Sequence, residues 1–427
     1  MKISVIGMGK IGLPIAVSFA LKGSSVIGVD IQKNTVDMIN RGQEPFPGEL
    51  GLQENLTNVV KVGKLKATTD LFFTVRNSDV IVVCIPLMLN EIGAPDFSNI
   101  DVLVADIGKN LKTNSLISFE TTLPVGTTRD RFTKILETES KKNVGKDFNV
   151  VFSPERVMTG RVFQDLRRYP KLVGGVTPAC LEKGVSFYKS VLDFDLRADL
   201  KRENGVWEME NSEAAEFAKI AEATYRDVNI GLANEFAVYA KSKHIDIHQI
   251  IEAANSQPFS MIHTPGIAVG GHCIPIYPKF YSWGNAESQI VDAARERNSI
   301  MPTFALSQIK NEFSNLGQYK IGVLGITYRP GVKEVALSGA LELLKLLKDE
   351  GASVYGDDPL LTSEEILQLG FDSGSIPETV DGLILHTSHV AYEDLELEKY
   401  KNLKFFFDGR NSHAALRNQN AFSYFSI

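Results

Sequence analysis

Cysteine is scarce in this chain: 427 residues carry three, Cys84, Cys180 and Cys273. They are too few and too scattered for a disulfide framework, so a reducing, cytoplasmic setting is expected. Long apolar runs are also missing. The longest, Val80 to Leu89, has about ten residues, against the ~20 that a membrane span needs. The opening residues, MKISVIGMGKIG, lack the charged and apolar blocks of a signal peptide. There is no excess of positive charge. The formal net charge of −7 excludes a general nucleic-acid binder and leaves room only for a local basic pocket. The chain has no CxxC pair, so a zinc site built on His272 and Cys273 would lack further ligands, and no metal is expected. What is present is ordinary for a globular protein: 44% hydrophobic and 23% charged residues. The length passes the ~250–300 residues at which one core stops growing, so two or three domains are expected.

Ile3 to Ile6 reads as a short buried strand, and glycine punctuation follows it. IGLPIAVSFALKG then has helical spacing, with Ile11, Ile15, Phe19 and Leu21 near one face. SSVIGVD supplies a second strand that runs up to Asp30, completing a βαβ unit. Further strands are expected in DVIVVCIP, SLISFET and NVVFSP. The pattern returns near the C-terminus in YKIGVLGITY, ALELLKLLKDEGASVYGDDP, DGLILHTSH and LKFFFDGR. Alternation of this kind gives parallel sheets covered on both faces. The fold class is α/β, with two doubly wound Rossmann-like domains joined by a long central helix. The expected boundaries are 1–205, 206–305 and 306–427.

That helix is expected from Glu208 to Lys243, a stretch without proline. Ala214, Phe217, Ala218, Ala221, Tyr225, Val228, Leu232, Phe236 and Tyr239 form one apolar stripe. Lys219, Ala223, Arg226 and Asn229 form another. The plain reading is a linker packed against both halves. The sharper reading adds a dimer interface along the apolar stripe and a ligand face along Lys219, Arg226 and Asn229.

Three elements carry chemistry. Gly7-x-Gly9-x-x-Gly12 lies between a strand and a helix, with Asp30 18 residues past the last glycine. That context marks a dinucleotide turn: glycines admit a pyrophosphate to the helix N-terminus, and the acid accepts the ribose hydroxyls. Gly7, Gly9, Lys10, Ile11, Gly12 and Asp30 are therefore expected to bind NAD, with Asp30 repelling the 2′-phosphate of NADP. The alternative is a structural turn with Asp30 as a cap. Cys273 sits in VGGHCIP, where Gly270 and Gly271 remove side chains and Pro275 stiffens the exit, as an accessible nucleophile requires. Cys84 reads as core, and Cys180 begins a helix. FSPERVMTGR places Glu155 and Arg156 just past a strand end, where open α/β sheets bind ligands. A surface salt-bridge loop is the alternative there.

In order along the chain, GMGKIGLP, ETTLPVGTT, SPERV, AEFAKIAEATYRDVNIGLANE, GIAVGGHCIP, GITYRPGVKE and FDGR resemble the nucleotide-sugar 6-dehydrogenases from Met1 to about Arg410. The resemblance implies NAD in the first domain, a UDP-sugar between the first and last domains, and a homodimer built on the central helix. It implies a four-electron oxidation of the C6 alcohol to a carboxylate, reducing two NAD. Cys273 falls at the family's nucleophile, which forms a thiohemiacetal and then a thioester. Lys219 matches a lysine that handles the alcohol proton, Glu155 an acid/base glutamate, and Thr122 a threonine that positions cofactor or water. Arg156, Val157, Arg226, Gly270, Tyr328, Arg329 and Arg410 match substrate contacts, and the guanidinium forks of Arg329 and Arg410 suit a diphosphate.

The sequence also departs from the family. Tyr277 stands where many members carry Asp, and Ala223 where many carry Asn. Thr159 replaces the second glutamate of UDP-glucose enzymes, no arginine lies near Ala336, and NSQPFSMIHTPG lacks an arginine. SPERV, GGHCIP and Thr159 lean toward a UDP-N-acetylhexosamine over UDP-glucose. A 6-phosphogluconate-like dehydrogenase would explain Lys219 but neither Cys273 nor the third domain. A catalytically weakened NAD- and UDP-sugar-binding protein is the non-enzymatic alternative.

Overall fold

Strands such as VIVV at 80–83 and LISF at 116–119 are buried along their whole length, as central strands of a sheet covered on both faces must be. The computed structural model describes residues 1–427. It divides into two compact units, one of residues 1–222 with 283–286 and one of residues 223–282 with 287–427.

The first unit holds β1 (Lys2–Ile6), β2 (Ser25–Val29), β3 (Leu65–Thr68), β4 (Val80–Val83), β7 (Leu116–Phe119), β8 (Asn149–Phe152), β9 (Lys171–Gly175) and β10 (Val206–Glu208). A small antiparallel ribbon pairs β5 (Met88–Leu89) with β6 (Pro95–Asp96). The sheet order is β10-β9-β8-β7-β4-β1-β2-β3. The run β3-β2-β1-β4-β7-β8 is the doubly wound order, and its direction of winding reverses between β1 and β4. Every pair in this sheet is parallel except β8 with β9, where Phe152 lies opposite Gly174. The helix Gly12–Leu21 packs against the sheet and is buried on nearly all sides, at Gly12 through Val17, Phe19 and Ala20. Leu21, expected on its inward face, is exposed: it lies at the last turn, where the helix leaves the core.

The second unit holds β11 (Lys320–Leu324), β12 (Ser353–Asp357), β13 (Gly382–Leu385), β14 (Phe405–Asp408) and β15 (Ser423–Ser426), all parallel, in the order β12-β11-β13-β14-β15. This is the second common doubly wound order. Phe405, Phe406 and Phe407 are wholly buried. Gly382 is required beside them, since a Cβ there would lie 2.1 Å from the Phe405 ring.

The long helix runs Ser212–Ser242, 31 residues, shorter at its start than the expected 208–243. Glu208 instead pairs with Val173 as the end of β10. Asn211 then stops the strand and starts the helix: its side-chain oxygen accepts the Ala214 amide at 2.8 Å, capping the first turn. Tyr225, Leu232, Phe236 and Tyr239 of the expected apolar stripe are exposed. The buried face is a different one. It carries Ala233, Ala237 and Ala240 together with the polar residues Asp227 and Asn234. Asn298 ties the two polar residues together, donating to Asp227 Oδ1 and accepting from Asn234, each at 2.8 Å.

Candidate functional site

The turn after β1 has the geometry of a dinucleotide cradle. Gly7 has a φ of +93°, which L side chains rarely adopt, and its amide donates to the Val29 carbonyl at 2.9 Å. A Cβ on Gly12 would lie 1.9 Å from the Gly7 oxygen, so the helix can approach the strand only with glycine there. Gly9 differs. A Cβ on it would meet no protein atom within 4 Å, so packing does not demand glycine at that place. Its missing side chain leaves open space beside the N-terminus of Gly12–Leu21, which no side chain caps. A helix N-terminus without a side-chain cap and the open space beside it together fit a pyrophosphate. Asp30 is fixed at the same turn: Oδ2 accepts the Met8 amide at 3.0 Å and Oδ1 the Gln32 amide at 2.9 Å. Each carboxylate oxygen keeps a lone pair for a ribose hydroxyl. Lys10 and Ile11 lie half-buried within the turn.

Thr122 and Glu155 follow the ends of neighbouring strands β7 and β8 in this unit; Thr122 is buried, and the Glu155 side chain is 10% exposed. Arg156 pairs with Glu222 at 2.8 Å through Nε. Val157 and Lys219 are half-buried. The loop that carries Glu155 is pinned from two sides. Glu49 accepts the amides of Gly160 at 2.7 Å and Val162 at 2.6 Å, and Asp165 accepts that of Met158 at 3.0 Å. Burial of Glu49 pushes its carboxyl up, against three amide bonds that pull it down.

In the second unit Cys273 is exposed on a loop packed against an aromatic ring. A Cβ on Gly270 would lie 2.7 Å from Tyr328 Cβ, and one on Gly271 2.8 Å from the Tyr328 ring, so both positions must lack side chains. Gly271 has a φ of +90° and donates its amide to the Ala336 carbonyl at 2.9 Å. The Cys273 thiol lies 3.6 Å from the Tyr277 hydroxyl. The neighbouring His272 turns elsewhere, with Nε2 3.6 Å from Glu334. The residue beside the thiol is therefore Tyr277, which the sequence shows only as a departure from the family pattern. The Arg329 guanidinium lies 6.0 Å from the centre of the Tyr328 ring. Arg410 donates Nε to the His386 carbonyl at 2.7 Å, and burial lowers its proton affinity. A guanidinium held by a carbonyl keeps its charge available for an anion. Arg226 is exposed. Asn229 does structural work: Nδ2 donates to the Met261 carbonyl at 2.7 Å and Oδ1 accepts the His263 amide at 3.0 Å, fixing the segment that leads to Cys273.

Of the other cysteines, Cys180 is buried with its amide capped by Thr177, and Cys84 packs partly buried just past β4. Sequence reasoning passed over Glu120, Lys171 and Tyr188, which gather around Glu155. One available signal was the single lysine in YPKLVGG, a charge placed at the start of an apolar strand.

Comparison with known proteins identifies the family. Residues 1–192 match the NAD binding domain of the UDP-glucose/GDP-mannose dehydrogenase family, 213–299 its central domain, and 322–415 its UDP binding domain. The chain is 32% identical over 421 residues to a UDP-N-acetyl-D-mannosamine dehydrogenase of Pyrococcus horikoshii, covering 96% of both. It is 31% identical to the enzyme of that name from Escherichia coli K12, covering 86% of both. The solved structure of the UDP-D-ManNAc dehydrogenase from Pyrococcus horikoshii superposes with a TM-score of 0.89 at 30% identity, covering all of this chain and 99% of that one. The UDP-N-acetyl-mannosamine dehydrogenase from Staphylococcus aureus gives 0.83 at 29% identity, covering all of this chain and 98% of that one. With the dinucleotide turn, the exposed cysteine loop and all three domain matches in order along one chain, this protein belongs to the UDP-glucose/GDP-mannose dehydrogenase family and is an NAD-dependent nucleotide-sugar dehydrogenase.

Proposed function

We propose that the chain oxidises C6 of a UDP-N-acetylhexosamine, UDP-N-acetylmannosamine foremost, from the alcohol to the carboxylate. The carrying observation is the exposed Cys273 thiol on a loop that admits no side chain at 270 or 271. The relatives' names and the uncharged Thr159 favour the acetamido sugar over glucose. NAD, held by the turn at Gly7, Gly9, Lys10, Ile11 and Gly12 and by Asp30, supplies a hydride acceptor for each of two oxidations. Lys219 takes the alcohol proton or stabilises the oxyanion. The Cys273 thiolate adds to the C6 aldehyde, and the resulting thiohemiacetal carbon can lose hydride to leave a thioester. Glu155 takes a proton from water as water attacks the thioester carbonyl; the C–S bond breaks, and carboxylate and free thiol result. Thr122 positions cofactor or water. Arg156, Val157, Arg226, Gly270, Tyr328, Arg329 and Arg410 contact the UDP-sugar, with Asn229 supporting the Cys273 segment.

The domain division follows the chemistry: 1–205 for NAD, 206–305 for the helical segment with the cysteine loop, and 306–427 for the UDP-sugar. The exposed apolar stripe of the long helix pairs two copies of the chain. No helix is long and apolar enough to cross a membrane, and a cytoplasmic site suits a user of NAD and UDP-sugars.

The test is NADH formed per sugar consumed, with product mass spectrometry, over UDP-N-acetylmannosamine, UDP-N-acetylglucosamine and UDP-glucose. Two NADH per acetamido sugar are expected. In Cys273→Ala, with unchanged thermal unfolding, carboxylate formation should fall by roughly 10³-fold or more. One NADH per sugar, or near-normal carboxylate from Cys273→Ala, would remove the thioester route. Turnover of UDP-glucose with neither acetamido sugar accepted would reverse the sugar assignment.

A further inference from the structure

The antiparallel reversal between β8 and β9 has a chemical result. It brings Lys171, the first residue of β9, to the same end of the sheet as Glu120 after β7 and Glu155 after β8. The Lys171 ammonium donates to Glu120 Oε2 at 2.8 Å and also to Glu155 Oε1. Glu120 Oε1 accepts the Tyr188 hydroxyl at 2.5 Å, and that hydroxyl lies 2.6 Å from the Ser118 hydroxyl. Lys171 also sits 4.9 Å from the centre of the Tyr188 ring. Glu120, Lys171, Tyr188 and Ser118 are all buried. Two carboxyls and one ammonium out of water make a costly arrangement, since a fully ionised set would bury a net negative charge.

We propose that Lys171 is a positioning residue that holds the Glu155 carboxylate in place for proton transfer, with Glu120 as the buried partner that anchors the ammonium. The proposal rests on the acid/base reading of Glu155 given above. Lys171 stands to Glu155 as a fixed cation. It aims one carboxylate oxygen and keeps the side chain from turning away from that direction. Glu120 and Tyr188 fix the ammonium from the other side, so that Lys171 cannot follow Glu155 if that side chain moves.

The electrostatics agree. Burial pushes Glu120 up to about 8, with the Lys171 charge opposing and Glu155 adding to the rise. Burial alone would lower Lys171, but the two carboxylates outweigh it and the ammonium is held above its ordinary value. Tyr188 is driven up by burial and by Glu120. Cys84, the remaining titratable group facing the cluster, is driven up by burial and by both glutamates. As pH rises through about 8, Glu120 loses its proton and adds a second negative charge against Lys171. The hold on Glu155 then weakens.

The test uses the full chain with NAD and UDP-N-acetylmannosamine. Its readouts are kcat and KM across pH and thermal unfolding for Lys171→Met, Lys171→Arg, Glu120→Gln and Glu155→Gln. Lys171→Met should lose about 30-fold or more in kcat while KM stays within about threefold, and Lys171→Arg should recover part of the loss. Glu120→Gln should keep most of the activity at neutral pH and displace the alkaline limb of the kcat profile by about one pH unit or more. Glu155→Gln inactive, with Lys171→Met and Glu120→Gln matching wild type in kcat and pH profile, overturns this proposal alone. Glu155→Gln with full uronate formation removes the acid/base reading and this proposal with it. Should Lys171→Met fail to fold, because two carboxyls are left buried without their cation, the Glu120→Gln profile decides: an unmoved alkaline limb overturns the proposal.

Discussion

At Gly9 and Gly12 the same residue type answers two different demands, and the difference is measurable. Gly12 is there for the protein: a Cβ would collide with the Gly7 carbonyl at 1.9 Å. Gly12→Ala should therefore destabilise the fold, by about 1–3 kcal/mol as overpacking does. Gly9 has no protein atom within reach of a Cβ. Gly9→Ala should leave thermal unfolding nearly unchanged and weaken NAD binding by about tenfold or more, read by titration calorimetry. Equal NAD affinity in Gly9→Ala would mean that the cofactor does not approach this turn. Both glycines are visible in the sequence as one motif, and only coordinates separate their roles. The same holds for the polar residues of the long helix. Asn229 carries the periodicity of a ligand face, yet both ends of its amide are engaged with the 261–263 backbone. Spacing gives the face of a residue; it does not give the partner that fills it.

Among the elements, the start of the long helix shows how a buried charge ties distant segments together. Glu216 lies inside the first unit and accepts the Gly126 amide at 2.6 Å, the Thr128 amide at 2.8 Å and the Thr128 hydroxyl at 2.6 Å. It thereby caps the segment Thr127–Thr133, which has no side-chain cap of its own. Burial raises the carboxyl to about 7 against these three donors, which pull it down. The folded state thus holds this proton more tightly than the unfolded chain, whose carboxyl titrates near 4.5. The contribution of Glu216 to stability is full below about 4.5 and is lost as pH rises through about 7. Glu216→Gln should remove that dependence, so the difference in unfolding free energy between wild type and variant should change by up to ~1.4 kcal/mol per pH unit in this window. Below about pH 4.5, where the wild-type contribution is full, the variant should be less stable by about 1–3 kcal/mol, because an amide nitrogen then faces a backbone donor. Parallel pH curves would show that Glu216 does not titrate in the window. The boundary of this helix was half legible in the sequence. Its length and lack of proline stood out, but the switch from β10 depends on Asn211 reaching the Ala214 amide.

For the whole molecule, the proposed pairing of two copies rests on the exposed stripe of the long helix. Tyr225, Leu232, Phe236 and Tyr239 are 61%, 44%, 39% and 63% exposed, a run of large apolar groups on one side of a helix whose other side is buried. Phe236→Glu combined with Tyr239→Glu should convert a dimer into monomers, measured by light scattering at micromolar concentration, with little change in the fold of either unit. A monomeric wild-type chain would refute the pairing. The sequence by itself determined the two βαβ patterns, the dinucleotide turn with its acid, and the accessible cysteine, because each is a local arrangement whose residues lie close together along the chain. It determined the family for the same reason, through short motifs in a fixed order. Only the tertiary structure decided which face of the long helix is buried, since an alanine-rich face with Asp227 and Asn234 looks polar until Asn298 supplies their partner. It also decided that Tyr277 rather than His272 stands beside Cys273, and that Lys171 joins Glu120 and Glu155. That last grouping depends on one strand running against its neighbour. Strand direction is set by the path of the chain between β8 and β9, and composition and spacing carry no record of it.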